Sequence, residues 1–273
     1  MKEKRINEII HSIFNKYPTS LSLYPKGLTN ENWIFTLDNE TYIFRYPTIL
    51  VNNYVQEQKV IELLKNEKLD VETIYFDPNT GIKITKYVDN LQEFSECTLP
   101  NKIEQTALLM KQLHDLQIQT HYHFHPIDKL EFYKSKVKHC PYTFEVNALL
   151  IKIKELDSNP ILCHNDWVSG NILFGEKNYL IDYEYAADND PLFDVMSFIT
   201  ENNIDDPKQR NIFYQAYFGK QPTADMLYKL HLWEQFHNCL WCYWALMMYE
   251  EKREDIYLEI AQMKYEAYKK AEN

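Results

Sequence analysis

The sequence predicts an α+β protein with two lobes, in which a small antiparallel sheet with one helix precedes a mainly helical body. The chain has 273 residues, which is long for one hydrophobic core and enough for two. Apolar residues alternate with a period of two through much of residues 20–86, and from Leu99 onward they recur mainly at helical spacing. We therefore place the lobes at residues 1–86 and 87–273.

The first lobe is expected to start with an amphipathic helix, because Ile6, Ile9, Ile10 and Ile13 recur at helical spacing. Residues 53–66 return to helical spacing and predict a helix between the third and fourth strands. The predicted strands are Leu21–Tyr24, Trp33–Leu37, Tyr42–Arg45, Thr73–Phe76 and Ile82–Thr85.

The second lobe is expected to be mainly helical. Its first helix has an apolar face at positions 103, 107, 110, 113 and 116. Pro160–Cys163 and Tyr179–Ile181 are short apolar segments that indicate buried strands, and each leads into a polar turn. Lys86–Asn90 lies between the two patterns and is the candidate hinge.

Composition and charge exclude several classes of protein. Forty acidic against 29 basic residues give a formal charge of -11, which argues against a nucleic-acid partner and suits a site for small cations. The longest apolar run, Cys239–Tyr249, is too short to cross a membrane. Five scattered cysteines favour free thiols in a reducing compartment, so we expect a cytoplasmic location.

Asp166, Asn171 and Asp182 have the spacing of a phosphoryl-transfer site. In such sites an Asp accepts the proton of the attacking hydroxyl, an Asn five residues later holds Mg²⁺, and a second Asp on the next strand also holds metal. Each residue alone would suggest a helix cap or a turn. Together they predict Asp166 as the catalytic base and Asn171 and Asp182 as ligands of Mg²⁺.

The sequence around these residues resembles the choline/ethanolamine kinase family. The resemblance rests on His164-Asn-Asp166, the five-residue step to Asn171, and Ile181-Asp-Tyr-Glu-Tyr185. Bacterial choline kinases are the nearest in size, within the larger aminoglycoside-phosphotransferase group, whose members usually have Gly at the position of Asn165. The resemblance implies a two-lobed protein-kinase-like fold that uses ATP and Mg²⁺.

The resemblance also implies a nucleotide site in the first lobe. Thr29 and Asn30 lie in the loop between the first two strands, where they would present donors to the phosphates, although Gly27-Leu-Thr-Asn30 is also an ordinary turn. Arg45 ends the third strand, where an Arg fork suits phosphate oxygens.

The helix that follows carries Glu57 where the family has a carboxylate that orients this cation. A solvated helix face is the alternative for Glu57, and Glu62 competes for the same role. At the hinge, the backbone of Lys86, Tyr87 and Val88 would contact adenine.

On the acceptor side, Trp241 and Trp244 stand at i and i+3, so both indoles can project from one helix face. Aromatic faces suit a quaternary ammonium, and the family has a matching Trp-x-x-Trp helix late in the chain. Burial of the pair in a helix core is the alternative. The resemblance implies Glu201 as an anionic wall, with Tyr185 as a weaker aromatic candidate and Tyr257, Tyr214 and Tyr217 as others.

The function that follows is ATP-dependent phosphorylation of choline to phosphocholine and ADP. The expected partners are ATP and a small cationic alcohol, with no nucleic acid and no membrane insertion. Two alternatives stay open at this stage. One is a kinase of the same fold that acts on ethanolamine, thiamine or an aminoglycoside, and the other is a non-catalytic module that binds ATP or choline.

Overall fold

The computed structural model describes residues 2–26, 30–48 and 53–271. The chain folds into two compact units. The first runs to Thr98 and also contains Ser169–Ala186, and the second contains Leu99–Val168 and the chain from Ala187 onward. The first unit thus includes Tyr87–Thr98, which lies beyond residue 86. The assignment of residues 1–86 as a nucleotide-binding lobe stays a prediction, because packing does not test what a lobe binds.

The first unit contains a five-stranded antiparallel sheet in the order β1-β2-β3-β5-β4. The turn between β2 and β3 has positive φ at both Asp38 and Asn39, 50° and 66°, which gives a tight two-residue connection. All five predicted strands are confirmed. Their bounds are β1 Ser20–Tyr24, β2 Asn30–Leu37, β3 Glu40–Pro47, β4 Thr73–Phe76 and β5 Lys83–Lys86.

Two helices belong to this unit. Helix α1, Lys2–Phe14, buries Ile6 and Ile10 in a core with Phe35, Phe44 and Ile84 of the sheet, as its apolar spacing predicts. Helix α2, Tyr54–Leu64, begins where the side chain of Asn53 accepts a hydrogen bond from the backbone N–H of Gln56 at 3.2 Å. Helix α2 is the helix predicted between the third and fourth strands.

A second, three-stranded sheet in the first unit has the order β6-β8-β9 and is antiparallel. Strand β6 is Gln92–Glu93, β8 is Ile172–Phe174 and β9 is Tyr179–Leu180. The short helical turn Ser169–Asn171 leads directly into β8, and the turn Tyr183–Tyr185 follows β9 after two residues. This sheet positions Asn171 and Asp182.

The second unit is mainly helical, as predicted. A two-stranded antiparallel ribbon of β7, Ile161–Cys163, and β10, Ala187–Asn189, is its sheet among the described residues. The helices are α3 Lys102–Asp115, α4 Pro126–Lys136, α5 Val146–Lys154, α6 Pro191–Glu201, α7 Pro207–Phe218, α8 Ala224–Lys252 and α9 Ile256–Ala271. The α+β class is therefore confirmed.

Local sequence explains where α6 and α7 begin. In each, an Asp precedes the helix and a Pro is its first residue. The carboxylate of Asp190 or Asp206 accepts a backbone N–H of the first turn at 2.9 Å. Proline is favoured at this position because its nitrogen has no hydrogen to leave unpaired. Along the described part of the chain, every helix is too short or too polar to span a bilayer.

Candidate active site

Arg45 and Glu57 form a buried ion pair in the first unit. Nη1 and Nη2 of Arg45 donate to the two carboxylate oxygens of Glu57, each at 2.8 Å, and Glu57 is 1% exposed. Nη1 also donates to Oδ1 of Asp182 at 3.2 Å. Burial acts to lower the pKa of Arg45, but the charges of Glu57 and Asp182 outweigh it and raise that pKa. The pair that the sequence predicts is thus assembled, with Arg45 as a fixed cation.

Gly81 supports the same guanidinium from the backbone. Its carbonyl oxygen accepts a hydrogen bond from Nη2 of Arg45 at 3.1 Å. Gly81 has a φ of +73°, and a Cβ there would lie 2.3 Å from the ring of Tyr54. A side chain at this position would therefore be both strained and obstructed, which would move the carbonyl away from Arg45.

Asn171 and Asp182 are brought together by the β8–β9 pairing. Ile172 and Leu180 are partners across the two strands, and the backbone N–H of Ile181 donates to the carbonyl of Asn171 at 2.9 Å. Asn171 is therefore one member of a backbone hydrogen-bonded pair, and Asp182 directly follows the other. Asp182 has a φ of 66°, a left-handed conformation that Asp tolerates better than most residues.

Glu184 adds a third carboxylate to the group around Arg45. Its Oε2 accepts a hydrogen bond from Nδ2 of Asn30 at 3.2 Å. Burial and then the charge of Asp182 raise the pKa of Glu184 well above its ordinary value. The charges of Glu57, Asp182 and Glu184 all raise the pKa of Arg45.

These carboxylates outnumber the guanidinium, so the cluster favours an additional cation. Asn171 and Asp182 offer the oxygen donors that Mg²⁺ prefers. The donor set of the first unit therefore fits Mg²⁺.

In the second unit, Asp194 holds the loop that carries Asp166. Its Oδ2 accepts the backbone N–H of His164 and its Oδ1 that of Asn165, both at 2.7 Å, and Asp194 is fully buried. The next anchor is Ser197, one turn later in α6, whose Oγ accepts the backbone N–H of Trp167 at 3.0 Å. The half-buried Asp166 lies between these anchored residues. Its position in the second unit is thus fixed by backbone hydrogen bonds on both sides.

Asn165, the residue before the predicted base, has a backbone conformation that few residues other than glycine and asparagine adopt. Its φ is 65°, the left-handed region in which Gly is favoured and Asn is accepted. The Asn165 side chain also bonds locally, since Nδ2 donates to the carbonyls of Cys163 at 3.3 Å and Ala187 at 3.2 Å. The amide therefore connects the loop to both strands of the ribbon.

His114 completes the support behind Asp194. Nε2 lies 3.1 Å from Oδ2 of Asp194, and Nδ1 lies 2.7 Å from the hydroxyl of Tyr217. Burial acts to raise the pKa of Asp194, but the hydrogen bond and charge of His114 outweigh it, so that pKa is lowered. Asp194 is therefore held as a carboxylate. Sequence reasoning had not singled out His114.

Trp241 and Trp244 lie against each other on α8. Their rings meet edge to face, with centroids 5.9 Å apart and planes at 82°. Trp244 in turn meets Tyr257 of α9, again at 5.9 Å and at 74°. Trp241 and Tyr257 are buried, and Trp244 is half-buried. The expectation that both indoles share a helix face is confirmed, and Tyr257 extends the aromatic group.

His237 fixes the orientation of Trp241. The indole N–H of Trp241 donates to Nδ1 of His237 at 3.1 Å, and Nε2 of His237 lies 2.9 Å from the carbonyl of Phe193. Because Nδ1 accepts, Nε2 carries the hydrogen and the ring is neutral. Burial lowers the pKa of His237 to about 3. Sequence reasoning did not identify this residue.

Glu201 forms an ion pair with Lys264 of α9. Nζ of Lys264 donates to Oε1 of Glu201 at 2.7 Å and to the carbonyl of Thr200 at 3.1 Å. Lys264 is 2% exposed. The carboxylate predicted as an anionic wall therefore already has a cationic partner, which the sequence did not reveal.

The remaining predicted residues that the structure describes lie in the first unit. The backbone N–H groups of Lys86 and Tyr87 donate to the carbonyls of Glu72 at 2.8 Å and Thr41 at 2.9 Å, and Val88 follows them. Tyr185 is half-buried and ends the turn after Asp182. Thr29 lies outside the described residues.

The predicted nucleotide and metal residues that are described all belong to the first unit. Asp166, Glu201, Trp241 and Trp244 belong to the second, while Tyr185, predicted with the acceptor residues, belongs to the first. An antiparallel sheet with a buried Arg–Glu pair, followed by a helical unit with an anchored Asp loop, is the organisation of a kinase-like phosphotransferase.

Comparison with known proteins agrees with this class. Residues 20–227 match the phosphotransferase enzyme family (APH), and the chain belongs to that family. Protein LicA of Haemophilus influenzae is 25% identical over 80% of this chain and 70% of its own length. Probable ethanolamine kinase A of Dictyostelium discoideum is 23% identical over 89% of this chain and 82% of its own.

A solved structure shows the same fold. The choline kinase LicA of Streptococcus pneumoniae superposes with a TM-score of 0.84 at 23% identity, covering 98% of this chain and 99% of that one. The predicted kinase-like fold is confirmed. The resemblance to choline/ethanolamine kinases is confirmed as well by these relatives, and the protein is a phosphotransferase enzyme.

Proposed function

We propose that this protein transfers the γ-phosphoryl group of ATP to the hydroxyl of choline, giving phosphocholine and ADP. The observation that carries the choline assignment is the aromatic group of Trp241, Trp244 and Tyr257, in the unit that also holds the Asp166 loop. Aromatic faces attract a quaternary ammonium, by up to about 2 kcal/mol each when desolvated. A relative named as a probable ethanolamine kinase and a solved structure named as a choline kinase support an amino-alcohol acceptor.

On the nucleotide side, Arg45 would donate to phosphate oxygens while Glu57 holds its orientation. The bidentate pair keeps the guanidinium in one place before ATP binds, so little ordering is needed on binding. Thr29 and Asn30 would present further donors to the phosphates. Because the N–H groups of Lys86 and Tyr87 already have acceptors, adenine would use the N–H of Val88 and the carbonyls of this segment.

Asn171 and Asp182 would hold Mg²⁺, which supplies neutralisation of phosphate charge when bound. The chain's own contribution is to keep the two oxygen donors at neighbouring positions of the β8–β9 hairpin. Asp182 also accepts from Arg45, so the same carboxylate would connect the metal-binding and phosphate-binding groups.

Asp166 would accept the proton of the choline hydroxyl as it attacks the γ-phosphorus. The oxygen–phosphorus bond to the acceptor forms while the bond to the ADP oxygen breaks, and the proton passes to the carboxylate. A general base of this kind contributes ~10²- to 10⁴-fold to the rate. Anchoring by Asp194 and Ser197 supports this role, because it holds Asp166 in one position.

Trp241 and Trp244 would hold the trimethylammonium group, with Glu201 on the acceptor side and Tyr185 as a weaker candidate. We include a cytoplasmic location in the proposal, since none of the five cysteines, all of which the structure describes, is in a disulfide. Residues 1–86 and 87–273 would then serve as the nucleotide lobe and the catalytic and acceptor lobe.

The test is ADP release from Mg-ATP with choline, ethanolamine, thiamine and kanamycin offered separately. We expect saturable turnover on choline, near-complete loss in Asp166→Asn with ATP binding retained, and a raised choline KM in Trp241→Ala. Asp225→Asn is the matched control, since Asp225 is an exposed helix residue that pairs with Lys229 four residues on. Turnover on another acceptor alone, with Trp241→Ala unchanged, would overturn the choline assignment and leave a kinase of the same fold.

A further inference from the structure

We propose that Lys264 is the residue that makes the acceptor site select a quaternary over a primary ammonium. This inference rests on the proposed function, because it concerns the cation that the acceptor carries. The ammonium of Lys264 is paired with the carboxylate of Glu201. An acceptor ammonium would otherwise bind that carboxylate.

The contacts of Lys264 hold it in place. It pairs with Glu201 at 2.7 Å and donates to the carbonyl of Thr200 at 3.1 Å. These two residues end α6, where the helix leaves its last carbonyls without intrahelical donors and carries partial negative charge. Lys264 therefore has both a carboxylate and a helix terminus as partners, and its burial keeps water from replacing it.

Lys264 also shares the buried face of α9 with Tyr257, a member of the aromatic group. Its charge contributes to the lowered pKa of His237, after the larger effect of burial. His237 is the residue that accepts the indole N–H of Trp241. Helix α9 carries Lys264 and, seven residues earlier, Tyr257, whose ring meets that of Trp244. The Glu201–Lys264 pair and the aromatic group are thus joined by two turns of one helix.

The chemistry of the two ammonium types then decides which one binds. A primary ammonium has three N–H donors, and taking it out of water is costly unless acceptors replace the lost hydrogen bonds. A trimethylammonium has no N–H donor and needs only aromatic faces and shape. Because the carboxylate of Glu201 is paired with Lys264, an acceptor ammonium would interact more readily with the indole faces than with a carboxylate. Choline is favoured and ethanolamine is disfavoured.

The experiment compares kcat/KM for choline and for ethanolamine in wild type and Lys264→Met. Removal of the lysine charge frees the carboxylate for the substrate, and a hydrogen bond to a charged group changes affinity by about tenfold or more. We expect the choline-to-ethanolamine ratio to fall by about tenfold, through a lower KM for ethanolamine at similar kcat.

Controls separate this effect from loss of structure. Lys264→Arg keeps the cation and should restore the wild-type ratio, and Lys270→Met makes the same change at a position of α9 that is 77% exposed. Lys264→Gln keeps a donor for the Thr200 carbonyl without the charge, so it tests the same direction if Lys264→Met fails to fold. In Glu201→Gln/Lys264→Met the ethanolamine gain should disappear, because no carboxylate is left to be freed.

The outcomes distinguish this inference from the proposed function. Wild-type protein active on choline, with folded Lys264→Met and Lys264→Gln at an unchanged ratio, would overturn the role of Lys264 and leave the kinase assignment in place. A wild type that prefers ethanolamine would overturn this inference and the choline assignment, and would leave a kinase of the same fold. Wild type active on neither amino alcohol would overturn the proposed function and this inference together.

Discussion

The indole N–H of Trp241 donates a hydrogen bond to Nδ1 of His237, one helical turn earlier in α8, and Nε2 of His237 in turn donates to the carbonyl of Phe193. A hydrogen-bonded chain of this kind fixes the rotation of the indole about its side-chain bonds. The orientation of the Trp241 ring is therefore fixed by His237, a residue that need not touch the acceptor.

The first prediction concerns this positioning residue. His237→Leu leaves the buried indole N–H without its acceptor, which costs about 1–3 kcal/mol and favours other orientations of the ring. We expect the choline KM to rise about tenfold with kcat within about threefold of wild type, measured by ADP release.

His237→Gln is the matched variant, because its amide has both an acceptor and a donor. It should lie closer to wild type in KM than His237→Leu does. If kcat falls as much as KM rises in the Leu variant, the residue supports the fold in general and not the indole.

The second prediction concerns Arg45. Arg45→Lys keeps the positive charge but cannot reproduce the two parallel bonds to Glu57 together with the bonds to Asp182 and Gly81. We expect the KM for ATP to rise at least tenfold, while the KM for choline changes little. Initial-rate kinetics with each substrate varied in turn would measure both.

The partner variant Glu57→Gln distinguishes orientation from charge. It leaves the guanidinium with fewer carboxylates in a buried place, and breaking a buried pair in this way costs about 3–5 kcal/mol of stability. Denaturant unfolding should show a lower midpoint for Glu57→Gln than for Arg45→Lys. Equal ATP kinetics in Arg45→Lys and wild type would refute the phosphate role.

The third prediction concerns the anchor of the catalytic loop. In Asp194→Asn one carboxylate oxygen is replaced by an NH₂ group, so a buried backbone N–H of His164 or Asn165 loses its acceptor. The loss should cost about 1–3 kcal/mol of unfolding free energy. We expect kcat to fall at least tenfold, since Asp166 loses its fixed position, with a smaller change in the KM for ATP.

Asp225→Asn again serves as the comparison, because an exposed i,i+4 ion pair contributes little to stability. It should match wild type in both unfolding and kinetics. Asp194→Asn with full kcat would mean that the loop is held without the carboxylate.

The sequence was most informative where function depends on residues that are close along the chain. Asp166, Asn171 and Asp182 lie within 17 positions, so their phosphoryl-transfer spacing was visible in the sequence. Of the two paired strands that join Asn171 to Asp182, the sequence predicted only the second, at Tyr179–Ile181. The paired indoles were likewise accessible from helical periodicity. The site assignments themselves stay predictions.

Other parts could not be read from the sequence, because packing brings distant positions together. Glu201 and Lys264 are 63 residues apart, and His114 and Asp194 are 80 apart. The available signal for Lys264 was its place among Tyr257, Ala261 and Tyr268 on the buried face of α9. A lysine in such a stripe indicates a buried partner but does not identify it.

The last prediction uses the pH dependence of stability. Folding raises the pKa of Glu184 above its ordinary value of 4.5, first through burial and then through the charge of Asp182. The folded state therefore binds this proton more tightly than the unfolded chain. The stability that it contributes is fully present below pH 4.5 and is lost as pH rises toward the folded-state pKa, at up to about 1.4 kcal/mol per pH unit. Glu184→Gln stays neutral throughout, so its unfolding free energy should fall less than that of wild type between pH 4.5 and 7, as urea unfolding at each pH would measure. Parallel curves for the two proteins would show that Glu184 is ionised in the fold, with the charge of Arg45 sufficient for all three carboxylates.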